Sequence, residues 1–216
     1  MADILVLNPP FLPKFSRPQR SPAVTKSGTL YFPLFLAQTV AVLEADGYDV
    51  TFLDAPAADL DCAAVVARAV AEKPFLAVLD TSTPSIDADV QTAAALKKAC
   101  PGLFVILVGP HATALDTATL TAARGAVDAV ARREYEGTVL ELARILAAGP
   151  ATPDRLAKVA GLTFVGPDGA PVRNPDRPFL EDLDALPPVA PVYARHLDIR
   201  KYFNPNAKPP MVTLAT

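Results

Sequence analysis

His111 is one of only two histidines in the 216 residues, and it stands in Gly109-Pro110-His111-Ala112. Imidazole changes charge near neutral pH, which suits it to acid–base or ligand-binding work. Gly109 lets a bulky planar ligand approach the backbone, and Pro110 stiffens the turn; the alternative is a simple helix-capping turn. A second group, Asp80-Thr81-Ser82-Thr83-Pro84-Ser85, offers Thr81, Ser82 and Thr83 as hydroxyls that bond a polar ligand or cap the next helix. A third, Asn8-Pro9-Pro10-Phe11, leaves an apolar run through two prolines, which force an extended exit and remove backbone donors. A fourth, Arg132-Arg133-Glu134-Tyr135-Glu136, follows another apolar run abruptly. Helix capping accounts for its glutamates and leaves the two arginines for a ligand. Cys62 and Cys100 fit no metal knuckle or redox pair and read as core thiols.

These four groups share one position in a repeating pattern. Short apolar runs at 4–8, 50–54, 75–80, 104–108 and 127–131 alternate with helix-length stretches at 34–46, 59–72, 86–99, 112–123 and 135–148. Strands that are apolar throughout are buried on both faces, and five consecutive strand–helix units build a parallel sheet covered on both sides. The fold expected is α/β: a flavodoxin-like, Rossmann-like, doubly wound five-stranded parallel sheet in the order 2-1-3-4-5, with a six-stranded Rossmann variant as runner-up. Gly47, Gly125 and Gly149 sit where helices should end. Such sheets bind ligands at the carboxyl ends of their strands, where all four groups fall.

No glycine-rich phosphate loop follows the first strand, so a pyrophosphate site is excluded there. Residues 14–31 form an insertion with Arg17, Arg20 and Lys26, of a length that suits a flap or a solvated loop. Past residue 149 the composition changes. Residues 162–165 and 170–173 flank Gly166-Pro167-Asp168-Gly169 and read as a hairpin. Proline-rich residues 174–210 should be extended over the surface, and 211–215 reads as one more buried strand. The organisation expected is an α/β unit over 1–149, a hairpin extension over 150–176 and a linker over 177–216.

Twenty Lys+Arg against 23 Asp+Glu give a net charge of −3 without a basic block, which argues against nucleic acid as a partner. No apolar run reaches the roughly 18 residues of a membrane span, and the N-terminus lacks a basic signal region, so a cytoplasmic protein is expected. A phosphoryl-accepting receiver domain shares the topology, and Asp80 imitates its acceptor. Asn8-Pro9-Pro10 replaces its acidic pair, however, and Arg132 its lysine.

Leu7-Asn8-Pro9-Pro10, Tyr31-Phe32-Pro33-Leu34-Phe35-Leu36-Ala37, residues 50–55, Gly109-Pro110-His111-Ala112, Glu134-Tyr135-Glu136-Gly137-Thr138 and Glu181-Asp182-Leu183-Asp184-Ala185-Leu186-Pro187 together resemble the N-terminal half of cobalamin-dependent radical SAM enzymes. The last of these is similar to that family's connection to its radical SAM barrel. Ala131-Arg132-Arg133-Glu134-Tyr135 looks like the hopanoid-biosynthesis branch, with magnesium-protoporphyrin cyclases and carbon methylases as relatives. The resemblance implies a cobalamin lying across the strand ends, held by Asn8, Pro9, Pro10, Thr81, Ser82, Thr83, Gly109, Pro110, His111, Arg132, Arg133 and Glu134. It implies that the corrin's nucleotide tail runs toward the first and third strand loops, and that no histidine ligates cobalt, since neither His111 nor His196 has Asp two places before it. It implies, too, that Met211-Val212-Thr213-Leu214-Ala215-Thr216 opens the barrel. The Cys-x-x-x-Cys-x-x-Cys motif, its [4Fe-4S] cluster and S-adenosylmethionine would then belong to a following region, and this chain alone would be inert.

Overall fold

A computed structural model describes residues 3–17, 28–208 and 211–213. Arg20 and Lys26 lie outside the described residues. The apolar runs form β1 (Ile4–Asn8), β2 (Val50–Asp54), β3 (Leu76–Asp80), β4 (Phe104–Val108) and β5 (Ala129–Ala131). They are parallel in the expected order 2-1-3-4-5. Because successive side chains point to opposite faces, each run feeds two cores. Ile4, Val6, Leu76, Val78, Ile106 and Val108 face one side, and Leu5, Leu7, Ala77, Leu79, Val105 and Leu107 the other.

The first face is covered by α1 (Leu34–Ala45) and α7 (Glu136–Ala147), the second by α3 (Cys62–Glu72), α4 (Ile86–Ala99) and α6 (Asp116–Ala123). Where one helix was expected over 59–72, a short α2 (Ala55–Ala58) precedes Asp59 in the left-handed region, and the Asp61 carboxylate caps α3 by accepting from Ala64 N–H at 2.8 Å. The helix expected over 112–123 breaks at Leu115 into α5 (Pro110–Ala114) and α6. No helix of the described residues is long and apolar enough to cross a membrane.

Three expectations need correction. The hairpin β6 (Leu162–Val165) and β7 (Pro171–Arg173) is no appendage: β6 pairs antiparallel with β5, so the sheet has seven strands, in the order 2-1-3-4-5-6-7. A bare β5 would leave a row of backbone donors and acceptors unpaired at the sheet edge, and the hairpin covers it. Between α7 and the hairpin lies α8 (Pro153–Leu156). The proline-rich segment is not merely extended over the surface. It forms α9 (Ala190–His196) and buries Val192, Tyr193 and Tyr202 in the first core, where Tyr202 stacks on Phe32 at 3.9 Å between ring centroids. The strand expected over 211–215 is not formed at 211–213, where Val212 is half exposed; residues 214–216 lie outside the described residues. A strand needs a neighbour for its ladder, and 211–213 have none among the described residues.

Candidate functional site

The registers Asn8↔Asp54 and Asp80↔Val108, with Leu7↔Leu79 between them, set Asp54, Asn8, Asp80 and Val108 side by side at the carboxyl rim. Asn8 is buried and donates from Nδ2 to Asp54 Oδ1 at 2.7 Å, while its Oδ1 accepts from Arg17 Nη1. Arg17 returns from the loop after β1 and buries its guanidinium. It donates to the Pro9 carbonyl at 2.7 Å and pairs with Asp89 on α4. Asp89 also accepts from Ser85 Oγ at 2.7 Å, and Ser85 bonds Ser82 at 2.8 Å. At the other end, Tyr202 donates its hydroxyl to Asp54 at 2.7 Å. One continuous chain of hydrogen bonds therefore runs Tyr202–Asp54–Asn8–Arg17–Asp89–Ser85–Ser82.

This network holds the buried carboxylates Asp54 and Asp89, with Asp80 a third beside it, and among the described residues one guanidinium, that of Arg17, faces all three. Burial raises the pKa of all three, and the Arg17 charge only partly opposes it. For Asp80 the result is a value of about 7. Burial likewise lowers His111, keeping its imidazole neutral at neutral pH.

The residues expected to face a ligand separate into two groups. Thr81 is fully buried, and its hydroxyl donates to the Val108 carbonyl at 2.7 Å, fastening β3 to β4. Gly109 has φ +99°, and a Cβ there would lie 2.4 Å from Asp80 Oδ1 and 2.6 Å from the Thr81 carbonyl. The close approach that Gly109 permits is thus taken up by the end of β3 itself. Arg132 turns away from the rim. Its guanidinium is buried under the hairpin, bonded to Asp176, to Thr163 Oγ1 and to the Asn174 carbonyl, so it is not free for a ligand. Arg133, with φ +61°, pairs with Asp176 and lies over the Phe179 ring, and Glu134 accepts from Leu180 N–H at 3.0 Å.

What remains at the mouth is Thr83 and Pro110, both exposed, Ser82, and His111, whose Nδ1 lies 3.2 Å from Thr83 Oγ1. At the same sheet end, after β1 and β2, a cleft of about 560 Å³ is lined by Pro10, Phe11 and Leu12, by Pro56, Leu60 and the carboxylates Asp59 and Asp61, and by Gln91 of α4. Pro9 contributes its carbonyl to the Arg17 bond and Pro10 its ring to the cleft. Asp54, Asp89 and Tyr202 were not singled out from the sequence. The available signal was a charged residue closing an apolar strand for Asp54, and an acid among the inward positions of α4 for Asp89. Among the described residues no group of three His, Cys, Asp or Glu is placed to hold a metal ion.

Comparison with known proteins bears on this rim. The family described as B12 binding domain matches residues 20–143. The anaerobic magnesium-protoporphyrin IX monomethyl ester cyclase of Rubrivivax gelatinosus is 32% identical over 157 residues, covering 72% of this chain and 28% of the cyclase. The radical S-adenosylmethionine methyltransferase TsrM from Kitasatospora setae, solved with cobalamin and a [4Fe-4S] cluster bound, superposes with a TM-score of 0.61 at 17% identity, covering 87% of this chain and 31% of that one. The cobalamin-dependent S-adenosylmethionine radical enzyme OxsB, with aqua-cobalamin and S-adenosylmethionine bound, gives 0.64 at 10% identity, covering 83% and 23%. At those identities the two structures establish the shared fold. The chain spans less than a third of the length of each of these relatives.

Proposed function

Because this chain belongs to the B12-binding domain family, we propose that it is the cobalamin-holding module of a cobalamin-dependent radical SAM enzyme. The single observation that carries this reading is the rim itself. A mouth of Ser82, Thr83, Pro110 and His111 and a mostly apolar cleft that also carries Asp59 and Asp61 both open at the carboxyl ends of a parallel sheet, where such sheets take their ligands.

The residue types fit the group. A corrin is broad and edged with amides, and it asks for a shelf with scattered hydroxyl and imidazole partners rather than for charges. Thr83, His111 and Ser82 would meet the corrin edge, and the cleft behind Pro10 would receive the nucleotide tail. His111 lacks an acid two places earlier and is already turned to Thr83, which supports binding without a histidine on cobalt. Bound there, cobalamin supplies a cobalt centre for methyl transfer or radical rearrangement at an unactivated carbon. The chain's own part is to bind and orient it, facing a radical SAM barrel with its cluster and S-adenosylmethionine. Within the module, residues 1–149 would form the shelf and 177–216 the connection to that barrel. A hopanoid or other lipid substrate is proposed only from Ala131–Tyr135, and Arg132 in that segment serves the hairpin, so the segment supports the branch and not a substrate contact.

A second reading is a module that only docks a neighbouring domain. It is favoured by Thr81, Gly109 and Arg132, all consumed by internal contacts. Passing the chain with hydroxocobalamin over a sizing column separates the two. Corrin absorbance co-eluting with the protein, reduced at least tenfold by Thr83→Ala with His111→Ala, supports the cofactor reading. No co-elution supports docking.

A further inference from the structure

The three buried carboxyls of the rim are not equally satisfied. Asp54 accepts from Asn8, from Tyr202 and from the Ala57 backbone. Asp89 accepts from Arg17, from Ser85 and from the Ser82 backbone. Asp80 accepts one hydrogen bond only, from its own neighbour's Thr81 N–H at 2.9 Å, and no other donor among the described residues reaches it. An under-bonded carboxyl in a buried setting is costly unless it is neutral or awaits a partner. Its position points to a partner. Asp80 ends β3 against the Cα of Gly109, one residue from the turn that carries Ser82 and Thr83, and its register partner Val108 stands three residues before His111.

The surroundings select the partner's chemistry. Arg17 approaches Asp80 from the loop after β1, Asp54 from β2, Asp89 from α4 and Tyr135 from the start of α7. Among the described residues three carboxyls surround one guanidinium, a balance that disfavours a phosphate or carboxylate ligand. Arg17 already occupies the place where a cation would sit, and the described residues offer no metal-binding trio. A neutral dipole remains.

We propose that Asp80 is a specificity-determining residue that donates a carboxylic-acid hydrogen bond to a carboxamide of the bound ligand, while the hydroxyls of Ser82 and Thr83 accept the amide N–H groups. The assignment rests on the cobalamin reading above and names the group by which β3 recognises that cofactor. It requires the carboxyl to hold a proton near neutral pH, which burial provides. The complex forms with no bond made or broken, and loss of the Asp80 proton removes the donor.

The test is the affinity of the whole chain for cyanocobalamin, whose upper ligand does not titrate in the window, measured by equilibrium dialysis from pH 6 to pH 8.5. Wild type should weaken by about tenfold per pH unit above neutrality. Asp80→Asn keeps a donor that cannot ionise. It should match wild type within about threefold at pH 6 and stay flat to pH 8.5, whereas Asp80→Ala should be weaker by at least tenfold throughout. Far-ultraviolet dichroism confirms that each variant is folded before it is scored. A flat wild-type profile, or an Asp80→Asn variant as weak as Asp80→Ala at pH 6, overturns the assignment while leaving the cobalamin reading intact. No binding by wild type at any pH overturns both.

Discussion

Two charged clusters sit at the sheet, one at the β1–β3 rim and one under the β5–β6 hairpin, and their proportions are opposite. The rim holds Asp54, Asp80 and Asp89 around Arg17, with carboxylate pKa values raised because burial outweighs one cation. The hairpin cluster holds Asp116 and Asp176 among Arg132, Arg133 and Arg173. There burial also pushes Asp116 up, but the bonds from Thr163 and Arg173 more than offset it. The Arg132 bond holds Asp176 low as well. The hairpin cluster closes on itself and has a structural task. The rim cluster leaves a carboxyl short of donors beside the mouth, and perturbation of that kind marks a functional site.

The two also respond oppositely to pH. Asp80, raised from 3.8 to about 7, contributes stability that is complete below pH 4 and is lost as pH rises through 7. Asp116 and Asp176, lowered from 3.8, contribute stability that is present above pH 4 and is lost as pH falls through their depressed values.

The largest expected effect is at the rim. Arg17→Met removes the one cation that the described residues place among three buried carboxyls and should cost about 3–5 kcal/mol at pH 7.5. The loss should shrink at pH 5, where Asp80 is protonated, as urea denaturation at the two pH values will read. An equal loss at both would erase the contrast with the hairpin. Gly109→Ala should cost about 2–4 kcal/mol, from a left-handed backbone and a Cβ driven into Asp80 and Thr81, and should abolish cobalamin retention. Retention at wild-type affinity would separate that contact from the binding mouth.

Arg132→Met should cost about 2–3 kcal/mol by leaving the buried Asn174 carbonyl and Thr163 hydroxyl without the Arg132 donor and Asp176 with Arg133 and Arg173 alone. Its denaturation midpoint should change little between pH 5 and 8 and its cobalamin affinity not at all; an affinity loss would return Arg132 to the ligand site. The smallest effect belongs to Tyr202→Phe, which deletes one bond to Asp54 and should cost about 1–2 kcal/mol. Hydrogen exchange of the Leu30–Phe203 backbone bridge should report it first, because that bridge lies one residue from the lost hydroxyl's ring.

The five parallel strands, their order and their two-sided burial were legible in the chain, because apolar runs and helix-length spacing are local patterns that short-range sterics translate directly. The rim was legible as a place and only partly as chemistry. Thr83 and His111 meet at the mouth as their positions implied, while Thr81 and Arg132, equally polar on paper, turn inward. Their partners are distant: Val108 is 27 residues from Thr81, Thr163 is 31 from Arg132, Asp89 is 72 from Arg17, and Tyr202 is 148 from Asp54. No local pattern announces such pairings. Where a buried polar group goes depends on which donor the packed sheet brings within 3 Å, and that selection exists only once the elements are assembled. The hairpin shows the same division. Its turn was written in Gly166-Pro167-Asp168-Gly169, but its place in the sheet was decided by the open edge of β5.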